Sequence, residues 1–347
     1  MAASKCAALL RFQVATISGF DFSGAQLYPQ HVFKFCSPPC GSDRPRVIRL
    51  SRHKQTLLDA LFTRPLSCLQ RASHVSFEND SRGREFGRIH EQVSAQFGAA
   101  AAAYTASAVH SDPSALARVV ELVAPKPTDV ALDVATGSGN TALALAPHVA
   151  RVIAYDMTPA MLAETARNAA ARGLANIATQ QGTAESVPFP DATFDIITVR
   201  QALHHFADVR AALREMARVA RPGARLVIVD STSPEDDSLD RQWNYIEKLR
   251  DPSHVRNYRP SEWRVLLADA GLRISHEELA FATENGRGMD FAAWVRRMHT
   301  PPSAVAELTR LLRNASPALA AALRIELDVD AIRFCVPQIT IASAKAK

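Results

Sequence analysis

The stretch Val130–Asp156, VALDVATGSGNTALALAPHVARVIAYD, constrains the fold more than any other part of the chain. An apolar run closes on Asp133, a loop holding Gly137 and Gly139 follows, then a short helical segment, then a second apolar run ending in Asp156. Two apolar runs joined this way make a βαβ unit, with parallel strands and a crossover helix between them. The glycines let the backbone turn tightly and approach a ligand. An acid closing the second strand is suited to accept ribose hydroxyls. The unit therefore reads as a site for an adenosine-containing cofactor.

The acids divide two kinds of cofactor chemistry. A dinucleotide brings a pyrophosphate, and nothing in such a site requires an acid inside the first strand. Here Asp133 stands four residues before Gly137, and Ala142 replaces the third glycine of a dinucleotide loop. A carboxylate in that place suits a cation such as the ammonium and sulfonium of S-adenosylmethionine.

The 347 residues divide unevenly. Residues 1–75 carry ten Lys/Arg and three Asp/Glu, while the remainder carries 30 and 32. The net charge of +5 thus belongs to the N-terminal segment, and the folded part has no basic excess with which to bind nucleic acid. Cys6, Cys36, Cys40 and Cys68 lie in that segment too, leaving only Cys335 beyond it, which fits a reducing, cytoplasmic setting. Cys36-Ser-Pro-Pro-Cys40 lacks a second Cys/His pair at ligand spacing, so no metal is expected. No apolar run approaches the ~18 residues that span a bilayer. Residues 1–85 read as a disordered extension, a transit-type peptide, or sequence preceding the true start.

The predicted organisation is a helical N-terminal cap over 86–125, a Rossmann-like core over 126–232, and cap insertions with the last two strands over 233–347. A helix is expected over Glu91–Tyr104, and another from Asp112-Pro113 to Val123, stopped by Pro125. Strands are predicted at Val130–Val134, Val152–Tyr155, Ile177–Gln181, Phe194–Val199 and Arg225–Val229, with helices between them. Beyond Asp230, helices are expected over Asp237–Leu249 and Ser261–Ala270 and within 289–325. Strands are expected near Ile274–Ala280 and over Ile332–Ile341, where Pro337 suggests a bulge or an edge.

Five segments in order carry a family resemblance: LDVATGSGN (Leu132–Asn140), YDMTPAML (Tyr155–Leu162), GTAESVPFPDATFD (Gly182–Asp195), VRQALHHF (Val199–Phe206) and RVARPGARLVIVD (Arg218–Asp230). From about Tyr104 to Ile341 the chain resembles the class I S-adenosylmethionine-dependent methyltransferases, and within them the small-molecule enzymes related to the ubiquinone/menaquinone C-methyltransferases. The resemblance implies an α/β fold: a Rossmann-like, seven-stranded, mostly parallel sheet with helices on both faces, a helical cap and an antiparallel last strand. It implies that Asp133 and the backbone of Thr136, Gly137, Ser138 and Gly139 face the methionine end of the cofactor. Asp156 takes the ribose, Met157 packs on the adenine, and Ala184 and Glu185 lie at the adenine edge. Arg200 and Gln201 line the transfer pocket, and Tyr104 closes over it. The quinone subgroup's later signature, Asn-Asp-x-Met-Ser followed by His-Arg-x-Trp, is absent. YIEKLRDPSHVRNYRPSEW (Tyr245–Trp263) stands instead, so a quinone acceptor does not carry over.

Methyl transfer from a sulfonium needs alignment and, for some acceptors, a base. The candidate bases are His204, His205, His254 and Asp230, with His205 and His254 favoured. Arg250 and Arg256, beside Asp251 and His254, are candidates for binding a polar or anionic acceptor, against an internal ion-pair network fixing the cap. The expected activity is transfer of a methyl group to a small molecule, without nucleic-acid or membrane partners. The alternatives are an inactive S-adenosylmethionine-binding or NAD-binding module and a nucleic-acid or protein methyltransferase. The last lacks an Asn/Asp-Pro-Pro-Tyr after the fourth strand, where this chain reads RQALHHF.

Overall fold

A computed structural model describes residues 83–98, 111–282 and 287–346. Residues 83–98 are helical and are called α1, so the helix expected from Glu91 is already formed at residue 83, within the stretch read as an N-terminal extension. Next comes α2 (Pro113–Val123), whose Asp112 N-cap accepts from the Ser114 N–H ahead of Pro113 in the first turn. The chain then alternates: β1 (Val130–Val134), α3 (Asn140–Leu145), β2 (Arg151–Asp156), α4 (Pro159–Ala171), β3 (Ile177–Gln181), β4 (Phe194–Arg200), α5 (Val209–Val219) and β5 (Ala220–Ser231). Two helices follow, α6 (Asp237–Arg250) and α7 (Pro260–Asp269), and then β6 (Leu272–Ala282).

The sheet order, with β10 (Val336–Lys345) included, is β3-β2-β1-β4-β5-β10-β6. The pairs among β1 to β5 are parallel, and β10 runs antiparallel to both β5 and β6. The parallel part, β1 to β5, is what the alternation predicts, and the seven-stranded sheet with its antiparallel last strand is what the family resemblance implies. β5 is longer than its apolar run: Ala220 pairs with Phe194, and the register then shifts so that Arg225 pairs with Ile196. The extra residues, which include Pro222 and Gly223 (φ +80°), are absorbed as an irregularity inside the strand.

Strand alternation sorts the core into two layers. Leu132 and Val134 of β1 face α5 and α7, packing with Leu213, Met216, Trp263 and Leu267. Ala131 faces the other way, toward Val119 and Val123 of α2 and Leu145 of α3. Asp133 shares Ala131's parity and therefore lies on the α2/α3 side.

Two expectations for the C-terminal part need correction. The run Ile332–Ile341 is two strands in different sheets: β9 (Ile332–Phe334) pairs with β7 (Met289–Asp290) and β8 (Glu326–Leu327), while β10 joins the main sheet. Pro337 stands neither at an edge nor at a bulge. It is the second residue of interior strand β10, opposite Phe281, and the register shift lies at Ala342/Ser343. A proline lacks only a donor, and its carbonyl accepts from the Thr232 N–H. The three helices α8 (Phe291–Arg297), α9 (Pro302–Arg313) and α10 (Pro317–Leu323) close a separate core around Trp243, Trp294, Leu308 and Phe334.

Candidate active site

Ligands of open α/β sheets bind beyond the carboxyl ends of the strands, where the order of connection reverses. In this sheet that point lies between β1 and β4. A cleft opens there. It is lined by Asp133, Thr136, Gly137, Ser138, Asp156, Met157, Ala184, Glu185, Arg200, Gln201 and His205, all singled out in the sequence. Gly139 is not in the wall. With φ +89° it opens α3, and a Cβ there would stand 2.7 Å from Thr165 Cγ2. Tyr104 lies outside the described residues.

Asp133 is 1% exposed, and its oxygens already have partners. Thr136 Oγ1 (2.5 Å) and the Ala142 N–H (3.1 Å) donate to Oδ2, and Thr198 Oγ1 (2.7 Å) donates to Oδ1. Thr198 is its register partner on β4, so one carboxylate ties the glycine loop, α3 and β4 together. Burial nevertheless pushes its pKa up to about 6, against these hydrogen bonds and the charge of Arg200. Arg200 is held through its Nε–H on Thr141 Oγ1 (3.2 Å).

Asp156 accepts from the Gly137 N–H (2.9 Å, Oδ2) and the Thr158 N–H (2.8 Å, Oδ1), which leaves each oxygen a further lone pair. Its pKa is also raised by burial. The loop spends most of its donors internally: Thr136 N–H on Tyr155 O, Gly137 N–H on Asp156, and Gly139 N–H on Thr136 O. A loop built to cradle a pyrophosphate would aim these groups outward. Backbone strain gathers at the same place. Ala135 (φ +51°) and Gln201 (φ +55°) are non-glycine residues in the left-handed region, and both line the cleft.

On the far side, Gly182 faces the Tyr155 hydroxyl, which donates to Thr183 O (2.9 Å) and so shapes the loop leading to Ala184. The Glu185 carboxylate accepts from the Ala207 N–H (3.0 Å) at the start of α5. His90 Nε2 of α1 lies 3.3 Å from Glu185 Oε2, an ion-pair distance that raises the pKa of the imidazole. His90, Val93 and Phe97 of α1 complete the wall of the cleft. Sequence reading missed these three, because nothing in the Ala-rich helix pattern marks which face meets a ligand.

A second chamber adjoins the first and shares Gln201 and His205 with it. His204, Ser231, Glu247, Arg250, Met289, Trp294, Arg297 and Val336 also line it. His205 is 6% exposed, and its Nδ1–H donates to Ser253 O (3.1 Å). Burial and the neighbouring His204 hold its pKa down to about 4. His204 sits differently: Nδ1 is 2.5 Å from Asp230 Oδ1, and its own N–H donates to Asp230 Oδ2 (3.1 Å). Burial works against the charged ring, but the Asp230 charge and hydrogen bond outweigh it and the pKa of His204 is raised.

The structure separates the remaining candidates. His254 lines neither chamber: it is 1% exposed, bonds Asn244 Oδ1 through Nε2 (3.2 Å), and is held strongly neutral by burial and by His204. Arg256 also lines neither, since Asp240 (3.1 Å) and Glu262 (2.9 Å) occupy its guanidinium in an ion-pair network that fixes the cap. Arg250 does reach the second chamber, stacked over Trp294 (4.6 Å) and paired with Glu247 (3.2 Å).

Comparison with known proteins agrees with this geometry. Residues 132–228 match the family described as a methyltransferase domain. The chain is 39% identical over 218 residues to the uncharacterised methyltransferase YcgJ of Bacillus subtilis (strain 168), covering 62% of this chain and 83% of that protein. It is 40% identical over 184 residues to a demethylmenaquinone methyltransferase of Thermus thermophilus, covering 47% of this chain and 83% of the relative. The crystal structure of the Bacillus YcgJ protein superposes with a TM-score of 0.62 at 35% identity, covering 67% of this chain and 98% of that one.

Proposed function

The chain belongs to the class I S-adenosylmethionine-dependent methyltransferases, and on that premise we propose that it transfers a methyl group from S-adenosylmethionine, held in the first chamber, to a small-molecule acceptor in the second, with release of S-adenosylhomocysteine. The observation that carries the cofactor assignment is the use of the loop donors. The Thr136, Gly137 and Gly139 N–H groups are consumed within the fold, while Asp133 and Asp156 bring negative charge to the same cleft. That combination disfavours a pyrophosphate and suits a cationic sulfonium and ammonium.

The residues fit this group. Asp156 keeps a lone pair on each oxygen for the ribose hydroxyls, Met157 offers an apolar face to the adenine, and the Ala184–Glu185 backbone lies at the adenine edge. Asp133 acts on the methionine end by charge, since its hydrogen-bonding capacity is largely used by Thr136, Ala142 and Thr198. When bound, the cofactor supplies an activated methyl carbon; the protein supplies alignment, which is worth ~7–11 kcal/mol in well-oriented reactions. Gln201 and His205 form the wall shared by the two chambers and fix the line along which donor and acceptor meet.

A small acceptor is supported by the second chamber adjoining the cofactor cleft and by the absence of basic excess beyond residue 75. Quinone methyltransferases are among the relatives, but this chain's cap carries its own sequence over Tyr245–Trp263, so the acceptor is expected to differ. The test is incubation with S-adenosylmethionine and panels of small phenols, acids and amines, of short RNAs and of peptides. Formation of S-adenosylhomocysteine and a methylated product by mass spectrometry is expected only with a small molecule. Methylation of RNA or peptide alone would overturn the assignment.

A further inference from the structure

A base is useful only if its lone pair reaches the acceptor and its other nitrogen is held. His204 meets both conditions, on the acceptor side of the wall rather than the cofactor side. Its ring lines the second chamber and not the first. Nδ1 is engaged by Asp230, a wholly buried carboxylate that also accepts from the His204 and Ser231 N–H groups and so cannot swing away. A carboxylate accepts, so Nδ1 carries the proton and Nε2 carries the lone pair in the neutral ring. Nε2 makes no hydrogen bond among the described residues, and the side chain keeps 14% exposure in an otherwise buried setting. The His204 carbonyl accepts from the Val255 and Arg256 N–H groups, pinning the turn from behind.

We infer that His204, positioned by Asp230, is the general base for the acceptor, and that the acceptor is a small flat molecule presenting a phenolic or enolic hydroxyl. This rests on the first chamber being the methyl-donor site. Met289, Trp294 and Val336 form an apolar side of the second chamber against which a flat ring can lie, and the rest of its wall is polar, with Ser231 and the charged Glu247, Arg250 and Arg297. An amine already carries a free lone pair at its reactive protonation state, whereas a neutral hydroxyl gains most from a base. In the step, the acceptor oxygen forms a bond to the methyl carbon, and the carbon–sulfur bond breaks with its electron pair going to sulfur. The hydroxyl proton passes to His204 Nε2, and the imidazolium then returns it to solvent.

His205 is the less suitable base of the pair. Its Nδ1–H is turned to a neutral backbone carbonyl, and the nearest carboxylate oxygen, Asp251 Oδ2, stands 3.8 Å from Nε2. The charged and titratable groups around His204 are Asp230 on β5, Glu247 and Arg250 on α6, Asp251 and His254 after α6, Arg297 on α8 and His205 beside it. The acids among them favour the protonated ring, so turnover is expected to rise with pH through a value above the ordinary histidine one.

The test uses the full chain with His204→Gln and Asp230→Asn, and 4-nitrophenol, catechol and 4-hydroxybenzoate as acceptors. Calorimetry with S-adenosylhomocysteine comes first, because failure of the wild type there defeats the cofactor reading rather than this one. With that binding intact in all three proteins, His204→Gln is expected to lower kcat on a phenol by about 100-fold or more. Asp230→Asn is expected to move the acid limb of the pH profile downward. Titration of the His204 ring by NMR, which needs no acceptor, is expected to show the same downward move in Asp230→Asn. Unchanged kcat in His204→Gln, or a ring titration and pH limb indifferent to Asp230→Asn, would overturn the base assignment. Methylation of amines but of no phenol would overturn the acceptor class, as would the absence of any phenol methylation by a protein that binds S-adenosylhomocysteine.

Discussion

Replacing Asp133 by Asn should stabilise the protein while weakening its cofactor site. The Asp133 carboxylate titrates near 6 instead of 3.8 because burial opposes its charge. Between those values the folded chain holds a proton that the unfolded chain has released, so stability falls as pH rises through that window. The difference corresponds to about 3 kcal/mol by neutral pH. An Asn avoids it without orphaning a neighbour. Its oxygen accepts from Thr136 and Ala142 where Oδ2 stood, and its NH2 donates to Thr198 Oγ1, whose hydroxyl turns to accept. Asp133→Asn is therefore expected to match the wild type near pH ~4 and to exceed it by up to about 3 kcal/mol near pH ~7. That gain is roughly 6–12 °C in melting temperature for a domain of this size. The assay is thermal or urea unfolding of both proteins across that range, so that titrations common to both cancel in the difference. Affinity for S-adenosylhomocysteine should fall at least tenfold in the same variant, about 1.4 kcal/mol. A variant less stable than the wild type at neutral pH, or a stability difference indifferent to pH, would refute the reasoning.

Asp156→Ala removes the acceptor of two backbone N–H groups and of the proposed ribose contact; calorimetry should show S-adenosylhomocysteine binding weakened tenfold or more, about 1.4 kcal/mol. Gly182→Ala places a Cβ 2.1 Å from the Tyr155 hydroxyl, and a loss of about 1–3 kcal/mol is expected in thermal melts, with wild-type stability counting against the close approach. His90, its pKa raised by Glu185, lends α1 a contribution that is full below about 6.5 and lost as pH rises through the raised value. His90→Gln should accordingly cost stability near pH ~5.5 and little near pH ~8.5 by melting curves; equal costs would contradict it.

The elements legible in the sequence are those whose signals are local. Val130–Val134 and Ile177–Gln181 are strands over the residues that their apolar runs and flanking turns indicate, and Asp112-Pro113 starts its helix as a cap followed by a first-turn proline. Non-local pairing was not legible. Ile332–Ile341 reads as one apolar run, yet the structure breaks it between Phe334 and Val336, because two different sheets compete for its halves. The RDPSHVR stretch gathers charge in sequence, but Arg256 is claimed by Asp240 and Glu262, 16 and six residues away. His204 and His205 are adjacent and look equivalent. What separates them is Asp230, 26 residues on in β5, which meets one ring and not the other. Likewise Gln201, just past β4, takes a positive φ while its N–H donates to Val229 O, which no residue type announces.

The cofactor assignment is tested most directly by calorimetric titration of the full chain with S-adenosylhomocysteine, alongside NADH. The consumed loop donors and the two buried acids predict micromolar binding of the first and none of the second. Preference for NADH would contradict the account at its root, since it would require those N–H groups to leave Asp156 and Thr136 and face a pyrophosphate.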